Sequence, residues 1–418
     1  MSVPFYMETE LIRQSKPAME IQSNHGHDVV ESPLQGDVLE LILSHVPLID
    51  LVPAHRVSRS WSLAVSSSLV HFNRPRPWLV VHSQSTRPPY ETVAHAFDPR
   101  SRDWVELQHQ DPSSKRVPSG LCSQSGRLLY GLSPSQFSFS LDPLGLSWHQ
   151  VDPPLVWRPD PIVAAVGRRV VVAGGGCDFD DDPFAVEIYD VETRKWESYN
   201  AMPSALRDCS ASACLSVAAG RGQIYVAEKL SGVAHSFDPE TKEWYGPYDL
   251  RPERNICCSV IGFANDRLIL ISLIGDPGSL SDSSLKGKTV KIWEVLGEFV
   301  EFREVTEMQP ELLKELTGDE PSISSISVCS AGDMVYLYDP SKPGAVVWCE
   351  VAAEGGGCEW GTLRMAAMPE DGQNQPARKA VFTCWDVGIP ELERALASDK
   401  LRLSVAKEGK QENAHNAD

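Results

Sequence analysis

The sequence predicts a small all-α module followed by an all-β propeller, and three observations carry this prediction. Residues 32–72 place apolar side chains at helical spacing, whereas from residue 78 onwards short β-rich runs alternate with turn clusters. In this β-rich region a single unit recurs at intervals of 44 to 48 residues, which suits a four-stranded blade. A spare β-rich run beyond the repeats can close the ring.

The composition and net charge of the chain exclude some classes of function. The chain has 418 residues, of which 42% are apolar and 23% charged, as in ordinary globular proteins. Its net charge of −19 repels phosphates and anionic lipids, so we expect neither nucleic-acid nor membrane binding. The first residues do not follow a secretory-signal pattern, and no apolar run reaches the ~18 residues of a membrane span. We therefore expect a cytoplasmic location, a nuclear one, or both.

Ten cysteines are present, but none of them forms a Cys-x-x-Cys pair. Most lie in apolar or strand-like runs, as Cys257 and Cys258 do. This distribution favours reduced, buried thiols over disulfides or zinc ligands.

Three short helices are predicted within residues 32–72. The apolar residues of the first helix follow the i, i+4, i+7, i+8 spacing of one face: Leu34, Val38, Leu41, Ile42 and Val46. Pro47 ends that helix. Three helices in about 40 residues form too small a core to be stable alone. Because the segment has no metal-ligand pattern, we expect a protein partner to supply the missing stabilisation.

This helical segment resembles an F-box. The resemblance rests on the run from Leu34 to Pro47, on Leu51, and on Arg56-Val-Ser-Arg-Ser-Trp61. The family usually has proline where this chain has Gln35, and that departure predicts modestly weaker adaptor binding. F-boxes dock on a Skp-family adaptor, which joins a cullin and a RING subunit. The resemblance implies that seven residues make or support the adaptor contact: Leu34, Val38, Ile42, Leu43, Val46, Pro47 and Leu51. Trp61 is expected to pack inside the module.

The repeated unit is an apolar or aromatic residue, an Asp, and a Trp six residues after the Asp. Its clear copies end at Trp104, Trp148, Trp196 and Trp244, and two degenerate copies follow near Ile292 and Val347. A second β-rich run precedes each copy, so each unit offers about four short strands with the Trp on the outermost one. The pattern resembles kelch repeats, although the diglycine of that family is intact only at Gly174-Gly175.

The ring is predicted to close through its C-terminal strand. The first blade begins at its second strand, Trp78–His82, and the run Ala380–Trp385 supplies the missing inner strand, which removes exposed sheet edges. This arrangement favours six blades, with five as the alternative. Over roughly residues 32–388 the chain resembles plant F-box/kelch-repeat proteins, with a small all-α F-box module followed by an all-β kelch-type β-propeller. The predicted segments are a mobile N-terminal stretch (1–31), the F-box (32–72), the propeller (73–388), and a short helix with a disordered tail (389–418).

An arginine precedes the predicted inner strand of several blades. From residue 116 to residue 254 the intervals are 42, 49 and 47, which match the blade period. Equivalent positions should face the same end of the channel, where guanidinium groups could bind carboxylates of a target. The alternative is pairing within the chain, with loop residues such as Asp160 or Asp208. The predicted target-binding residues are Arg116, Arg158, Arg207, Arg254 and Arg378.

The resemblance implies a non-catalytic function, as the substrate-recognition subunit of a Skp–cullin–F-box ubiquitin ligase. The propeller would hold a target protein for ubiquitination and proteasomal degradation, and analogy within the family suggests a metabolic enzyme as the target. A kelch scaffold that works without ubiquitin is the alternative. Some kelch propellers are copper oxidases, but the propeller histidines are scattered: His82, His95, His109, His149 and His235. They do not form the cluster that copper needs, and we expect neither a cofactor nor a metal.

Overall fold

The computed structural model describes fourteen segments of the chain. They are residues 36–109, 117–124, 126–175, 186–199, 202–207, 209–275, 288–297, 299, 301–318, 326–341, 344–352, 358–365, 377–397 and 401–405. Within these residues, no helix is both long enough and apolar enough to cross a membrane. None of the nine described cysteines forms a disulfide, and Cys177 lies outside the described residues.

Three helices open the described chain. They are α1 (Asp37–Ser44), α2 (Leu48–His55) and α3 (Arg59–His71). Pro47 separates α1 from α2, and Ser58 caps α3 because its hydroxyl accepts the backbone N–H of Trp61 (3.3 Å). Leu43, Leu51 and Val65 are buried between the helices, and Trp61 packs against the same core.

Six antiparallel sheets follow and form the six blades of a propeller. Blade 1 contains β1 (Trp78–Ser85), β2 (Thr92–Asp98) and β3 (Asp103–His109). Blade 2 contains β4 (Leu129–Ser133), β5 (Gln136–Ser140) and β6 (His149–Val151). Blade 3 contains β7 (Ile162–Val166), β8 (Arg169–Ala173), β9 (Val186–Asp190) and β10 (Lys195–Tyr199).

The remaining blades repeat the four-stranded plan. Blade 4 contains β11 (Leu215–Gly220), β12 (Gln223–Glu228), β13 (Val233–Asp238) and β14 (Glu243–Asp249), and follows the short helices α4 (Ser204–Arg207) and α5 (Ala211–Cys214). Blade 5 contains β15 (Ile256–Ala264), β16 (Arg267–Ile274), β17 (Thr289–Leu296) and β18 (Glu301–Glu307), and is followed by α6 (Pro310–Thr317). Blade 6 contains β19 (Ser327–Ala331), β20 (Met334–Tyr338), β21 (Ala345–Glu350) and β22 (Glu359–Arg364).

The C-terminal strand closes the ring, as predicted. β23 (Arg378–Trp385) pairs antiparallel with β1, with Trp78 opposite Trp385 and Ser85 opposite Arg378. The prediction of closure is confirmed, and the five-bladed alternative is excluded. Among the described residues of blade 2, the inner position holds an isolated bridge, Cys122 to Tyr130, and no inner strand.

The segment after β23 holds one element that the sequence analysis did not predict. The expected short helix is present as α7 (Ile389–Ala397), and β24 (Leu401–Val405) follows it. β24 pairs with β3, which makes blade 1 five-stranded. The residues predicted as a disordered tail, 407–418, lie outside the described residues.

The Asp and the Trp of the repeated unit have different structural roles. The Asp begins a tight turn: Asp190 Oδ1 accepts the backbone N–H groups of Glu192 (2.9 Å) and Thr193 (2.8 Å). Four residues after the Asp, the backbone adopts a positive φ in all four clear copies, as at Arg194 (57°). The turn places the aromatic residue before the Asp opposite the Trp, and the rings of Tyr189 and Trp196 lie 5.3 Å apart.

The Trp also joins neighbouring blades. Trp104 Nε1 donates to the carbonyl of Arg364 in blade 6 (3.0 Å), and Trp196 Nε1 donates to the carbonyl of Asp152 just after blade 2 (3.0 Å). In the copies that end at Trp104 and Trp196, the spacing of six residues therefore gives a turn, a cross-strand aromatic pair and a contact between blades. Among the described residues, Nε1 of Trp148 and of Trp244 has no hydrogen-bond partner.

The propeller has two unlike faces. Each inner strand runs from the distal face, formed by connections such as 86–91, 152–161 and 229–232, to the proximal face, formed by turns such as 99–102 and 191–194. The helices attach at the proximal face, where β1 starts.

Candidate functional site

An apolar stripe on α1 is exposed to solvent. Val38, Leu41 and Ile42 are 58%, 50% and 45% exposed, and their i, i+3, i+4 spacing places them on one side of the helix. The opposite side buries Leu39 and Leu43. Half of the strongly exposed large apolar side chains in the described residues lie between Val38 and Phe72. Such a concentration on a small module is typical of a protein-binding surface.

The structure separates the predicted adaptor-binding residues into three groups. Val38 and Ile42 are exposed in the stripe, Val46 and Pro47 are half-buried, and Leu43 and Leu51 are buried beneath it. Leu34 and Gln35 lie outside the described residues. Of the described residues, the exposed pair is best placed to contact a partner directly, whereas the buried leucines hold the helix that presents it. Adaptor binding by these residues stays a prediction.

The end of α1 is fixed to blade 1 by hydrogen bonds from the propeller. Arg100 Nη2 donates to the carbonyl of Leu43 (2.7 Å) at the helix end, where free carbonyls need partners. Arg100 Nη1 donates to the carbonyl of Asn73 (3.2 Å). Asp98 Oδ2 lies 3.4 Å from the backbone nitrogen of Leu48. Burial raises the pKa of Asp98, while the backbone N–H groups of Arg100 and Leu48 act in the opposite direction.

One hydrophobic core is shared by the helices, blade 1 and the C-terminal segment. It contains Leu51 of α2, Trp78 of β1, Leu392 of α7 and Leu401 of β24. Glu393 of α7 also accepts a hydrogen bond from Arg56 Nε (3.0 Å). The apolar stripe is therefore held at a set position relative to the propeller.

A buried ion pair organises part of the distal face. Arg158 and Glu187 are both fully buried, with Arg158 Nη2 3.5 Å from Glu187 Oε2. The same carboxylate accepts the backbone N–H groups of Leu155 (2.6 Å) and Val156 (3.3 Å). Arg158 Nη1 donates to the carbonyl of Gly174 (3.2 Å). These bonds hold the 152–161 connection in place.

That connection presents apolar side chains to solvent. Leu155 is 80% exposed and Trp157 is 38% exposed, although both lie close to the fully buried Arg158 in the chain. Tyr90 and Leu230 are further exposed apolar residues on the distal connections. Sequence reasoning missed Leu155 and Trp157 because they belong to no periodic pattern.

The five predicted target-binding arginines have different surroundings. Arg158 is buried as described, and Arg378 donates to Ser83 Oγ (2.9 Å) and to the carbonyls of Ser83 (2.8 Å) and Glu91 (3.2 Å). Arg254 is exposed. Arg116 and the side chain of Arg207 lie outside the described residues. Pairing within the chain, the alternative considered for the ring, is what Arg158 shows, with Glu187 as its partner. Target binding by these arginines stays a prediction.

The described residues hold no group of three or more His, Cys, Asp or Glu side chains placed to bind a metal ion.

Comparisons with known proteins agree with both regions of the chain. A model of the F-box domain matches residues 34–73. The chain is 39% identical over 388 residues to the F-box/kelch-repeat protein At1g23390 of Arabidopsis thaliana, and the match covers 90% of this chain and 96% of that protein.

Two solved structures match with low scores. A structure of YjhT is 14% identical, with a TM-score of 0.34, and the match covers 52% of this chain and 67% of that one. A chain of a nidogen/laminin complex is 10% identical, with a TM-score of 0.38, and the match covers 73% of this chain and 98% of that one. At these scores neither structure bears on function.

Proposed function

This chain belongs to the F-box/kelch-repeat family of plant proteins, and we propose that it is the substrate-recognition subunit of a Skp–cullin–F-box ubiquitin ligase. F-box domains typically bind Skp-family adaptors, and the exposed stripe of Val38, Leu41 and Ile42 offers such a partner an apolar surface. This stripe is the observation that carries the proposal.

The proposed mechanism is proximity. The α1 stripe binds the adaptor, and through it a cullin and a RING subunit, while the propeller holds a target protein for ubiquitination and degradation. Because the helices and blade 1 share one core, a target on the distal face stays in a restricted volume relative to the ligase. This restriction raises the effective concentration of the target's lysines near the enzyme that carries the activated ubiquitin. In this mechanism the chain itself does no covalent chemistry.

The target and location belong to the same proposal. By analogy within the family we propose a metabolic enzyme as the target, met in the cytoplasm, the nucleus or both. Leu155 and Trp157 are the distal side chains best placed to contact it, since both are exposed on a connection that buried bonds hold in place.

Binding of a purified Skp-family adaptor to the full chain tests the proposal. We expect the Val38→Asp/Ile42→Asp double variant to bind at least about 100-fold more weakly, because two charges would be buried against an apolar partner surface. Leu155→Asp is the control, since it places a charge at another exposed apolar position, on the distal face. We expect it to bind the adaptor like wild type.

The outcomes separate two functions. Loss in the double variant alone supports the ligase subunit, and the propeller can then be used to capture the target. Absence of adaptor binding by the wild-type chain would contradict the proposal and favour a scaffold that works without ubiquitin. Equal binding by the wild type and the double variant would show that the stripe is not the docking surface.

A further inference from the structure

A cavity lies at the distal end of the propeller channel. Its volume is about 260 Å³, and its lining comes from blades 1, 2, 4, 5 and 6, from α5 and from the 152–161 connection that precedes blade 3. The apolar side of this lining includes Val217, Val260 and the ring of Phe382, which stacks on Tyr338 with centroids 3.9 Å apart. The cavity therefore has an apolar wall inside the ring of inner strands.

Three polar side chains of this lining, which are themselves mostly buried, have few hydrogen-bond partners among the described residues. Lys229 is only 6% exposed, yet its Nζ has a single described acceptor, the carbonyl of Ser212 (3.2 Å), and no ion pair with a described carboxylate. Tyr130 and Tyr338 are 4% and 8% exposed, and neither hydroxyl has a hydrogen-bond partner among the described residues. By contrast, the hydroxyl of the buried Tyr336, which does not line the cavity, donates a hydrogen bond to the carbonyl of Pro77 (2.8 Å).

The charges of the lining favour an anion. Two lysines, Lys229 and Lys379, line the cavity together with one described carboxylate, Asp160. Asp160 is already engaged, because it accepts hydrogen bonds from Ser210 Oγ, from Ser212 Oγ (2.9 Å) and from the backbone N–H of Ser212 (3.1 Å). Lys379 Nζ lies 3.3 Å from Cys122 Sγ. Two ammonium groups therefore face the cavity on a chain that is acidic overall.

Burial keeps the phenols of the lining as neutral donors. It raises the pKa of Tyr130 and of Tyr338 well above the ordinary value. Burial also lowers the pKa of Lys229, and an anion beside its Nζ would oppose that shift. Ammonium and phenol donors together suit a carboxylate, which accepts strong charge-assisted hydrogen bonds.

We propose that this cavity binds a small carboxylic acid with an apolar body. The carboxylate accepts hydrogen bonds from Lys229 and from the phenols of the lining, and the apolar body lies against Val217, Val260 and Phe382. The volume is slightly below the ~300 Å³ at which typical ligand pockets begin, which limits the ligand to a small molecule. A free acid can reach donors buried inside the ring more easily than a side chain of a folded target can. The proposal is independent of adaptor binding.

Titration calorimetry on the full chain tests this site with benzoate and hexanoate as probes. We expect both acids to bind, and their neutral amides, benzamide and hexanamide, to bind at least about tenfold more weakly. Lys229→Gln should weaken acid binding at least about tenfold, because it removes the buried cation. Lys195→Gln, which changes an exposed lysine of β10, is the matched control and should bind like wild type.

Tyr130→Phe gives a second test that keeps the ring in place. It removes one hydroxyl without changing the packing, and we expect about fivefold weaker benzoate binding. Tyr130→Phe also tests the site if the Lys229→Gln variant does not fold. The proposal is overturned if neither acid binds at about 10 mM, if the amides bind as well as the acids, or if both variants bind like wild type. An acidic peptide that binds where the free acids do not would assign the cavity to a protein side chain and also overturn it.

Discussion

The two faces of the propeller differ in how their polar and apolar groups are used. On the proximal face, Asp98 and Arg100 contact the helical module, and Arg76 of the connecting segment pairs with Glu350 of blade 6 (2.9 Å). On the distal face, Leu155 and Trp157 remain exposed although their connection is held by buried bonds. The comparison indicates that the proximal face orients the helices, while the distal face keeps apolar side chains exposed to solvent.

A second comparison concerns one turn in two environments. Asp98 of blade 1 and Asp190 of blade 3 occupy the same position of the repeat, and both accept backbone N–H groups of their turns. Burial under the helices raises the pKa of Asp98, whereas the backbone N–H of Thr193 lowers the pKa of Asp190. Equivalent turns thus acquire opposite electrostatics, because the blade 1 turn is covered by the module and the blade 3 turn is not.

Removing the C-terminal segment should break the attachment of the proximal face. A chain that ends at Gly388 lacks Leu392 and Leu401, which are 0% and 3% exposed in the shared core. Two such losses predict a decrease of about 5 kcal/mol or more in the free energy of unfolding of this region. Hydrogen exchange of residues 37–71 measures the effect, and we expect strongly reduced protection.

A chain that ends at Val405 is the matched control for this truncation. It retains α7 and β24 and removes only residues 406–418, so protection of the helices should match that of the full chain. If the two truncated chains exchange alike, the C-terminal segment does not hold the module.

Glu187→Ala should disrupt the distal face. It would leave the buried guanidinium of Arg158 without its carboxylate and the amides of Leu155 and Val156 without an acceptor. We expect about 3–5 kcal/mol of destabilisation, measured by urea unfolding. Glu192→Ala removes an exposed pair with Arg168 (2.7 Å) and should cost at most about 1 kcal/mol. Equal costs for the two variants would show that the buried pair does not organise this face.

The paired turns predict a smaller effect of opposite sign with pH. A lowered folded pKa means that Asp190 contributes stability at neutral pH, and that this contribution is lost as the pH falls below about 4. A raised folded pKa means that Asp98 adds an ionisation cost, which grows as the pH rises above about 4.

Asp190→Asn should therefore remove part of the acid sensitivity of wild type, whereas Asp98→Asn should gain relative stability from about pH 4 towards neutrality. Urea unfolding of both variants from about pH 3 to pH 7 measures the two slopes. Parallel slopes would contradict the view that the helical module changes the environment of the blade 1 turn.

The sequence by itself determined the helical module, the repeated blades and the closing strand, and it favoured six blades over five. The helical module and the blades depend on contacts between residues close in sequence: the spacing of Val38 and Ile42 specifies a helical face, and the six residues from Asp190 to Trp196 specify a turn with its aromatic pair. Closure followed from counting strands, since blade 1 lacked its inner strand until β23 supplied it.

Only the tertiary structure decided which of these residues are available to partners. Arg158 matched the blade period, but its burial depends on Glu187, a residue of another strand. β24 was missed because the edge of β3 that it joins exists only in the folded blade. Lys229 and Tyr130 meet at one cavity through blades 4 and 2, about 100 residues apart in the chain. The spacing of residues along the sequence reflects contacts within a blade. The burial and charge of the residues at a site depend on contacts between blades.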